Sequence, residues 1–597
     1  MQLPLVSSLI HYFKVFYGYA GKKLYILCLL ILLGGISEGF GILMLLPVLN
    51  IDKQAVDQDG YSQTIYHFLE SIGIGVSLPP LLFLLFIAFS LKGVFLFLQE
   101  GLSTFITTNL VKTIRMGFCN KYRDMKYNYY TDVSIGYLNN IITTETDRAV
   151  SGLGMYARVI VSVIFITVYV SSAFIINWKM TFLVLLICSL FLLMMRYLSR
   201  ISRRLSILVS GTNAQIQSIL IQTIYNLKYL KATDTFTNLF KQVNKKIDEN
   251  RVYKFKLGIF NAIPSSIIEP ASVLLLSGLI LYYVGFQGKS IAEVMILLLF
   301  FYKAFSRVFR FQADWQKFNS GVGGIEVIKT ATKELNFNKE LSGTKKIIRF
   351  ENKISLTDIN FGYSSRQALF NMNISMTIPR SKSIGIVGAS GAGKTTLFDI
   401  ITGLLIPQSG KICIDGVDYK ELDISSIRGK IGYITQEPVI FNDTIANNIS
   451  FWECDNREDL CRRKIEDAAK LANCDRFINE TEKGYDTVIG DKGVKLSGGQ
   501  RQRIAIAREL FKEPEIMIFD EATSALDTES EQLIQQSINS LKGERTIVII
   551  AHRLSTVRNC DCIHVLKDGR IVEEGCFDEL YGDKKSRFYS MCQAQKL

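Results

Sequence analysis

Six long apolar runs, at roughly 24–49, 81–110, 157–177, 181–198, 262–286 and 291–311, dominate the first half of this 597-residue chain. Each holds about the 20 residues a helix needs to cross a hydrocarbon layer of about 30 Å. Backbone polar groups find no water in that layer, so helices are the form such runs can take. The second and fifth runs carry internal polar residues, which softens their edges. Ahead of the first run, Leu5–Phe16 mixes Leu, Ile, Val, Phe and Tyr with Ser, His and Lys, a pattern suited to an interfacial helix. No apolar stretch with a small-residue cleavage site precedes Lys22 and Lys23, so residues 1–23 do not read as a signal peptide.

Basic residues set the expected orientation. Lys112, Arg115, Lys121, Arg123 and Lys126 follow the second run, and Arg196, Arg200, Arg203 and Arg204 follow the fourth. The segment 51–78 instead carries Asp52, Asp57, Asp59 and Glu70 against Lys53, and the turns near Lys179 and Lys289 are short. The positive-inside tendency therefore predicts cytoplasmic termini and two long cytoplasmic connections, 111–156 and 199–261. The formal charge of +13 is largely absorbed by those connections, so nucleic acid is not needed as a partner. Both connections read as helical extensions of the spans, bending near Tyr129–Gly136 and Tyr225–Thr233. The 11 cysteines are scattered and never spaced as CxxC, which argues against a disulfide framework. Cys560 and Cys562 are one residue apart with no second pair beside them, and no metal site is expected there.

From about residue 350 the texture changes. Ile384–Val387, Ile431–Ile434, Ile516–Phe519, Thr546–Ile550 and Cys562–Val565 are short β-rich runs alternating with helical stretches, the pattern of a parallel sheet flanked by helices. The predicted organisation is an α-helical six-span transmembrane domain over 1–330, a Lys/Asn/Glu/Thr-rich linker over 331–349, and an α/β domain over 350–597.

That second domain carries the chemistry. Gly388-Ala389-Ser390-Gly391-Ala392-Gly393-Lys394-Thr395, with Thr396 behind it, fits G-x-x-x-x-G-K-[ST], following the strand Ser383–Val387 and opening a helix over Thr395–Ile401. Glycines free the backbone N–H groups to wrap phosphates, and the helix N-terminus adds positive potential. Lys394 suits the β- and γ-phosphates of ATP, and the Thr395 hydroxyl suits Mg²⁺. Downstream, the apolar strand Ile516–Phe519 ends in Asp520, able to hold Mg²⁺ through water. Glu521 follows and can act as general base toward the attacking water.

Leu496-Ser497-Gly498-Gly499-Gln500, directly before a helix expected near Arg501, then gives the chain a specific resemblance to the ATP-binding cassette family. The resemblance implies a head-to-tail cassette dimer in which Ser497 and Gly499 of one copy contact the γ-phosphate held by the other. It further implies adenine stacking by Tyr363, Mg²⁺ and water sensing by Gln436, a dimer-contact loop at Ser524-Ala-Leu-Asp527, and a switch histidine at His552. Read singly, these four are an edge aromatic, a turn amide, a helix cap and a strand-end histidine. Six spans fused ahead of one cassette resemble the half-transporter arrangement of the family's exporters, with the type IV fold, working as a homodimer or with a similar partner chain. Thr487-Val-Ile-Gly-Asp-Lys-Gly493 resembles the exporters' membrane-contacting loop, with Asp491 where Glu is usual.

The cargo must be read from charge inside the spans, where it is costly and usually functional or paired. Lys303, Arg307 and Arg310 share one face of the sixth run, with Lys303 about 18 Å beyond Ile291 at 1.5 Å per residue. Such a stripe suits an anionic head group entering from the inner leaflet. Snorkelling to the interface, or pairing with Glu269, explains it equally well. Glu38 and Lys92 are expected to pair. Ser37-Glu-Gly-Phe-Gly-Ile-Leu-Met-Leu-Leu-Pro47 resembles the first helix of exporters related to bacterial lipid-linked oligosaccharide flippases. The expected activity is therefore ATP-driven flipping or export of an anionic lipid-linked glycan or similar amphiphile. Peptide, bacteriocin or multidrug export is the alternative. A soluble cassette ATPase acting on DNA or ribosomes is excluded by the spans.

Overall fold

The computed structural model describes residues 5–45, 48, 71, 77–286, 291–362, 373–455, 458–522 and 526–595. Tyr363, the acidic residues Asp52, Asp57, Asp59 and Glu70, Lys289 and Ser524 lie outside them. The chain divides into one compact unit of Met1–Met125 with Tyr130–Lys339, and a second of Lys126–Tyr129 with Glu340–Leu597.

The first unit is helical: α1 (Leu5–Ala20), α2 (Lys23–Leu43), α3 (Leu78–Arg123), α4 (Thr146–Ile176), α5 (Trp178–Tyr225), α6 (Phe236–Ile280) and α7 (Ile291–Phe337). Among the described residues, Lys23–Leu43, Leu78–Arg123 and Ile135–Ile176 are long and apolar enough to cross a membrane by length and composition. The remaining apolar runs lie within α5, α6 and α7. Helices α3, α5, α6 and α7 have 45–48 residues each. At 1.5 Å per residue that is about 70 Å, roughly twice the hydrocarbon thickness, so their polar parts continue well past it. Short helices Tyr127–Asp132 and Leu227–Ala232 stand at the expected bends.

Helix α1 is held by more than an interface. Phe16 is 1% exposed and packs against Tyr156 of α4 and Phe318 of α7. The α4–α7 crossing is close because Gly152 faces Gly321; a Cβ on Gly321 would come within 2.8 Å of the Gly152 Cα. Small residues permit such backbone approach in membrane bundles. Helix α7 also runs through Phe337, so the first part of the 331–349 linker is helix. Ile328, Ala331 and Leu335 are buried at offsets of three and four, which sustains one apolar face past the expected boundary.

The second unit contains two sheets. Strands β1 (Lys353–Asn360), β2 (Ile374–Pro379), β4 (Ser409–Ile414) and β5 (Val417–Asp418) form an antiparallel sheet of order β2-β1-β4-β5. The larger sheet has order β10-β9-β3-β8-β7-β6, with β3 (Ser383–Gly388), β6 (Ile431–Ile434), β7 (Ile516–Asp520), β8 (Thr546–Ile550), β9 (Cys562–Lys567) and β10 (Arg570–Gly575). Its β6, β7, β8, β3 and β9 are parallel, and β10 returns antiparallel at the edge. Every residue of β3, β7 and β8 is buried, as expected of a parallel sheet covered on both faces. Helices α8 (Lys394–Ile401), α9 (Gly498–Phe511) and α10 (Thr528–Ser540) carry its functional loops. Among the described residues one disulfide, Cys454–Cys461, joins residues seven apart, a local link that the cysteine spacing did not suggest.

Candidate functional site

Strand register assembles the nucleotide side of the molecule. Ile550 pairs with Ile386 on one side and with Asp520 on the other. The C-terminal ends of β3, β7 and β8 therefore emerge together, bringing the loop after Val387, the Asp520–Glu521 pair and His552 to one sheet edge. Ligands of open α/β sheets bind at this edge. Two backbone bonds tie the junction: Glu521 N donates to Ile550 O at 3.0 Å, and Ala551 N donates to Ile386 O at 3.1 Å.

Residues Gly388 to Gly393 form the loop between β3 and α8, and Lys394, Thr395 and Thr396 make the first turn of that helix. Gly393 caps the helix at φ +98°, a conformation that other residues rarely adopt. Lys394 is 5% exposed, and its Nζ donates to Gly388 O at 2.9 Å and Ala389 O at 3.1 Å. Burial lowers the Lys394 pKa against the opposing charges of Glu521 and Asp520. Burial likewise raises Asp520, with the Glu521 charge adding and Lys394 opposing. A crowded pair of carboxylates beside a glycine-rich loop at a helix N-terminus is an arrangement that cations and phosphates jointly relieve.

Glu521 sits between two polar side chains. Gln436 Nε2 donates to Glu521 Oε2 at 2.8 Å, and His552 Nε2 lies 3.1 Å from Glu521 Oε1. Its backbone adopts φ +49°, a sparsely populated conformation that turns the side chain off the strand end. A carboxylate so held can accept a proton from a water placed before it.

The signature stretch forms an anion-ready helix start. The Ser497 side chain accepts from Gln500 N at 3.2 Å, while Gln500 Oε1 accepts from Ser497 N at 2.9 Å. This capping box leaves the Gly498 and Gly499 amides at the first turn of α9. The helix begins at Gly498, one turn earlier than the expected start near Arg501. Asp527 caps α10, accepting from Ser530 N at 2.8 Å. These two helix starts are not joined to the Glu521 group by any contact described within one chain.

Sequence reasoning passed over the braces behind these groups. Gln595, near the C-terminus, donates through Nε2 to His552 O at 2.7 Å and accepts at Oε1 from Leu554 N at 3.0 Å. Gln502, 2% exposed, donates to Thr435 O at 3.1 Å beside Gln436. Arg508 reaches Asn448 O and Val439 O at 2.6 Å each. None belongs to a motif; for Gln502 and Arg508 the one sequence signal is a polar residue at a buried phase of α9.

Inside the membrane unit, one carboxylate gathers the cations. Glu38, 2% exposed, accepts from Lys303 Nζ at 2.6 Å, and Lys92 Nζ lies 3.0 Å from its other oxygen. The Glu38–Lys92 pairing thus forms, and Lys303 joins it. Tyr169 donates to Glu38 and accepts from Arg307, whose guanidinium lies 4.4 Å over the Phe165 ring. Arg310 is exposed. The stripe therefore divides: Lys303 shares the Glu38 carboxylate with Lys92, Arg307 is steered by aromatic side chains, and Arg307 and Arg310 both lie within electrostatic reach of Asp314.

Known proteins match most of this chain. Residues 26–312 match the family model of the ABC transporter transmembrane region, and residues 371–524 match that of the ABC transporter cassette. The chain is 34% identical to the heterocyst differentiation ATP-binding protein HepA of Nostoc sp., over 82% of this chain and 79% of that protein. It is 33% identical to the ATP-dependent lipid A-core flippase of Pectobacterium atrosepticum, over 80% and 82%, and 30% identical to that of Escherichia coli K12, over 82% and 84%. In fold it resembles a bacterial Atm1-family ABC exporter solved with ATP bound, with a TM-score of 0.77, 21% identity, and coverage of 97% of this chain and 99% of that one. With a membrane region followed by an ATP-binding cassette, the chain belongs to the ABC transporter family as a half-transporter that couples ATP hydrolysis to movement of a substrate across the membrane.

Proposed function

We propose that this transporter flips or exports an anionic, lipid-linked glycan or similar amphiphile from the inner leaflet of a bacterial cytoplasmic membrane. The observation that carries this reading is the charge balance around Glu38. One buried carboxylate faces Lys92 and Lys303, and Arg307 lies beyond Tyr169. The group keeps surplus positive charge at a place where unpaired charge is expensive. An anionic head group compensates that surplus, with Arg307 and Arg310 as its contacts and Lys303 released from Glu38 on binding. The lipid A-core flippases among its relatives are named for cargo of this general kind, which supports the same choice.

In the proposed cycle, the loop Gly388–Gly393, Lys394 and the α8 amides hold the ATP phosphates, with Tyr363 against adenine. Thr395, Gln436 and Asp520 supply the oxygen donors that Mg²⁺ prefers, and the raised pKa of Asp520 fits a carboxylate awaiting a cation. Bound Mg²⁺ would neutralise phosphate charge. Glu521 takes the proton of the attacking water, Gln436 orients that carboxylate, and His552 reports on the γ-phosphate. Ser497, Gly498, Gly499 and Gln500 of a second copy complete the site, with Asp527 at the contact. Both termini face the cytoplasm.

ATPase activity of the purified transporter in nanodiscs, titrated with an anionic lipooligosaccharide, tests the cargo. Stimulation that Arg307→Gln/Arg310→Gln removes, at unchanged basal hydrolysis, is expected. Equal stimulation by neutral or cationic amphiphiles, indifferent to both replacements, contradicts it.

A further inference from the structure

The β9–β10 ribbon carries a second, chemically different group of side chains. Cys562 and His564 are two apart on β9 and so share a face. In the antiparallel pairing Glu574 stands opposite His564, and Gly575 opposite Ile563. One step further, Cys576 follows Gly575 and caps the helix Phe577–Gly582, its side chain accepting from the Glu579 backbone N–H. Cys562 Sγ lies 3.9 Å from His564 Nε2 and 3.8 Å from Glu574 Oε1, and His564 Nδ1 lies 3.7 Å from Glu574 Oε2. Among the described residues, Cys562, His564 and Glu574 are the group whose ligand atoms, one from each, all fall within 4.8 Å of one another.

His564 supplies the independent pointer. It is 2% exposed, and its Nδ1 has no hydrogen-bond partner. A buried polar nitrogen left unpaired is costly, and a bound cation relieves it. Reading the sequence for cysteine pairs alone passes over it, because Glu574 comes from the next strand.

We infer that Cys562, His564 and Glu574, with water in the fourth position, form a site for a zinc-class divalent cation that fastens β9 to the edge strand β10. Thiolate and imidazole select borderline-soft cations over Mg²⁺. A tetrahedron with bonds of about 2.3 Å to sulfur and about 2.0–2.1 Å to nitrogen or oxygen has edges of about 3.3–3.6 Å. With one donor atom taken from each residue the three lie within 4.8 Å of one another, so side-chain rotation has to draw them together by up to about 1 Å. The site lies apart from the nucleotide edge but not independently of it: β9 pairs with β3, His564 beside Ile386 and Leu566 beside Gly388. A cation there braces the strand next to the phosphate loop.

Co²⁺ serves as the probe, added to the full-length, tag-free, nucleotide-free transporter in detergent under anaerobic conditions. One Co²⁺ per chain with a thiolate-to-cobalt charge-transfer band, displaced by Zn²⁺, is expected. Cys562→Ser should abolish the band. Glu574→Gln alters a side chain that is 63% exposed, so it preserves folding, and should weaken Co²⁺ binding at least about tenfold. Zn²⁺ should raise the thermal midpoint of the unmodified chain and leave that of Cys562→Ser unchanged. A Co²⁺ complex without the thiolate band, equal affinity in the unmodified chain and Glu574→Gln, or a Cys562–Cys576 disulfide in the freshly purified protein would overturn the proposal.

Discussion

In the cassette unit, charged groups meet because neighbouring strand ends are in register; in the membrane unit, they meet because separate helices offer them to one another. Asp520 and Glu521 are adjacent in sequence, and the Ile386–Ile550–Asp520 pairing delivers the phosphate loop to them. Glu38 draws Lys92 from α3 and Lys303 from α7, the latter 265 positions away. The first arrangement fixes a reaction common to all cargoes. The second is the arrangement on which the proposed anionic cargo rests, and it lies on other residues than those that carry hydrolysis.

The comparison breaks most visibly at Glu521. Glu521→Gln should lower ATP turnover about 10²–10⁴-fold while nucleotide binding persists, because the amide keeps shape but cannot take a proton. Steady-state hydrolysis and equilibrium nucleotide binding check the two halves separately. In the membrane unit the largest effect belongs to Glu38. Glu38→Gln leaves Lys92 and Lys303 without their counter-charge, and a loss of about 3–5 kcal/mol of stability is expected, read as a lower thermal midpoint. The double change Glu38→Gln/Lys303→Met should recover much of it.

Those contrasting effects mirror what the sequence discloses. The phosphate loop, the Asp520–Glu521 pair and the Ser497–Gln500 capping box are local, so their chemistry is spelled in consecutive residues. Strands β3, β7 and β8 are continuous apolar runs and equally plain. Strand β2 alternates buried and exposed residues, and the antiparallel sheet around it went unseen. Gln595 behind His552 was invisible for the same reason as Lys303 beside Glu38: tertiary contact, not spacing, creates the pair.

Asp399 on α8 sharpens the comparison at smaller scale. Burial, aided by Asp520, pushes its pKa up to about 6. Its folded state holds more protons than the unfolded chain between about pH 4 and 6, so stability is greatest below that window and falls as pH rises through it. Asp399→Asn should remove this dependence and raise cassette stability at pH 7.5 by about 1–3 kcal/mol, measured by thermal unfolding across pH. The smallest effect is expected from Gln595→Ala, which frees the His552 carbonyl. A loss of about 1 kcal/mol in transition-state stabilisation, a several-fold slower turnover at unchanged nucleotide affinity, is predicted.

The most direct test joins the two units. In proteoliposomes, transbilayer movement of a fluorescent anionic glycolipid is followed with and without ATP, for the unmodified chain and Glu521→Gln. ATP-dependent movement in the first and none in the second is the expected result. Movement that proceeds without ATP, or at the same rate in Glu521→Gln, contradicts the coupling of hydrolysis at Glu521 to transport of an anionic amphiphile.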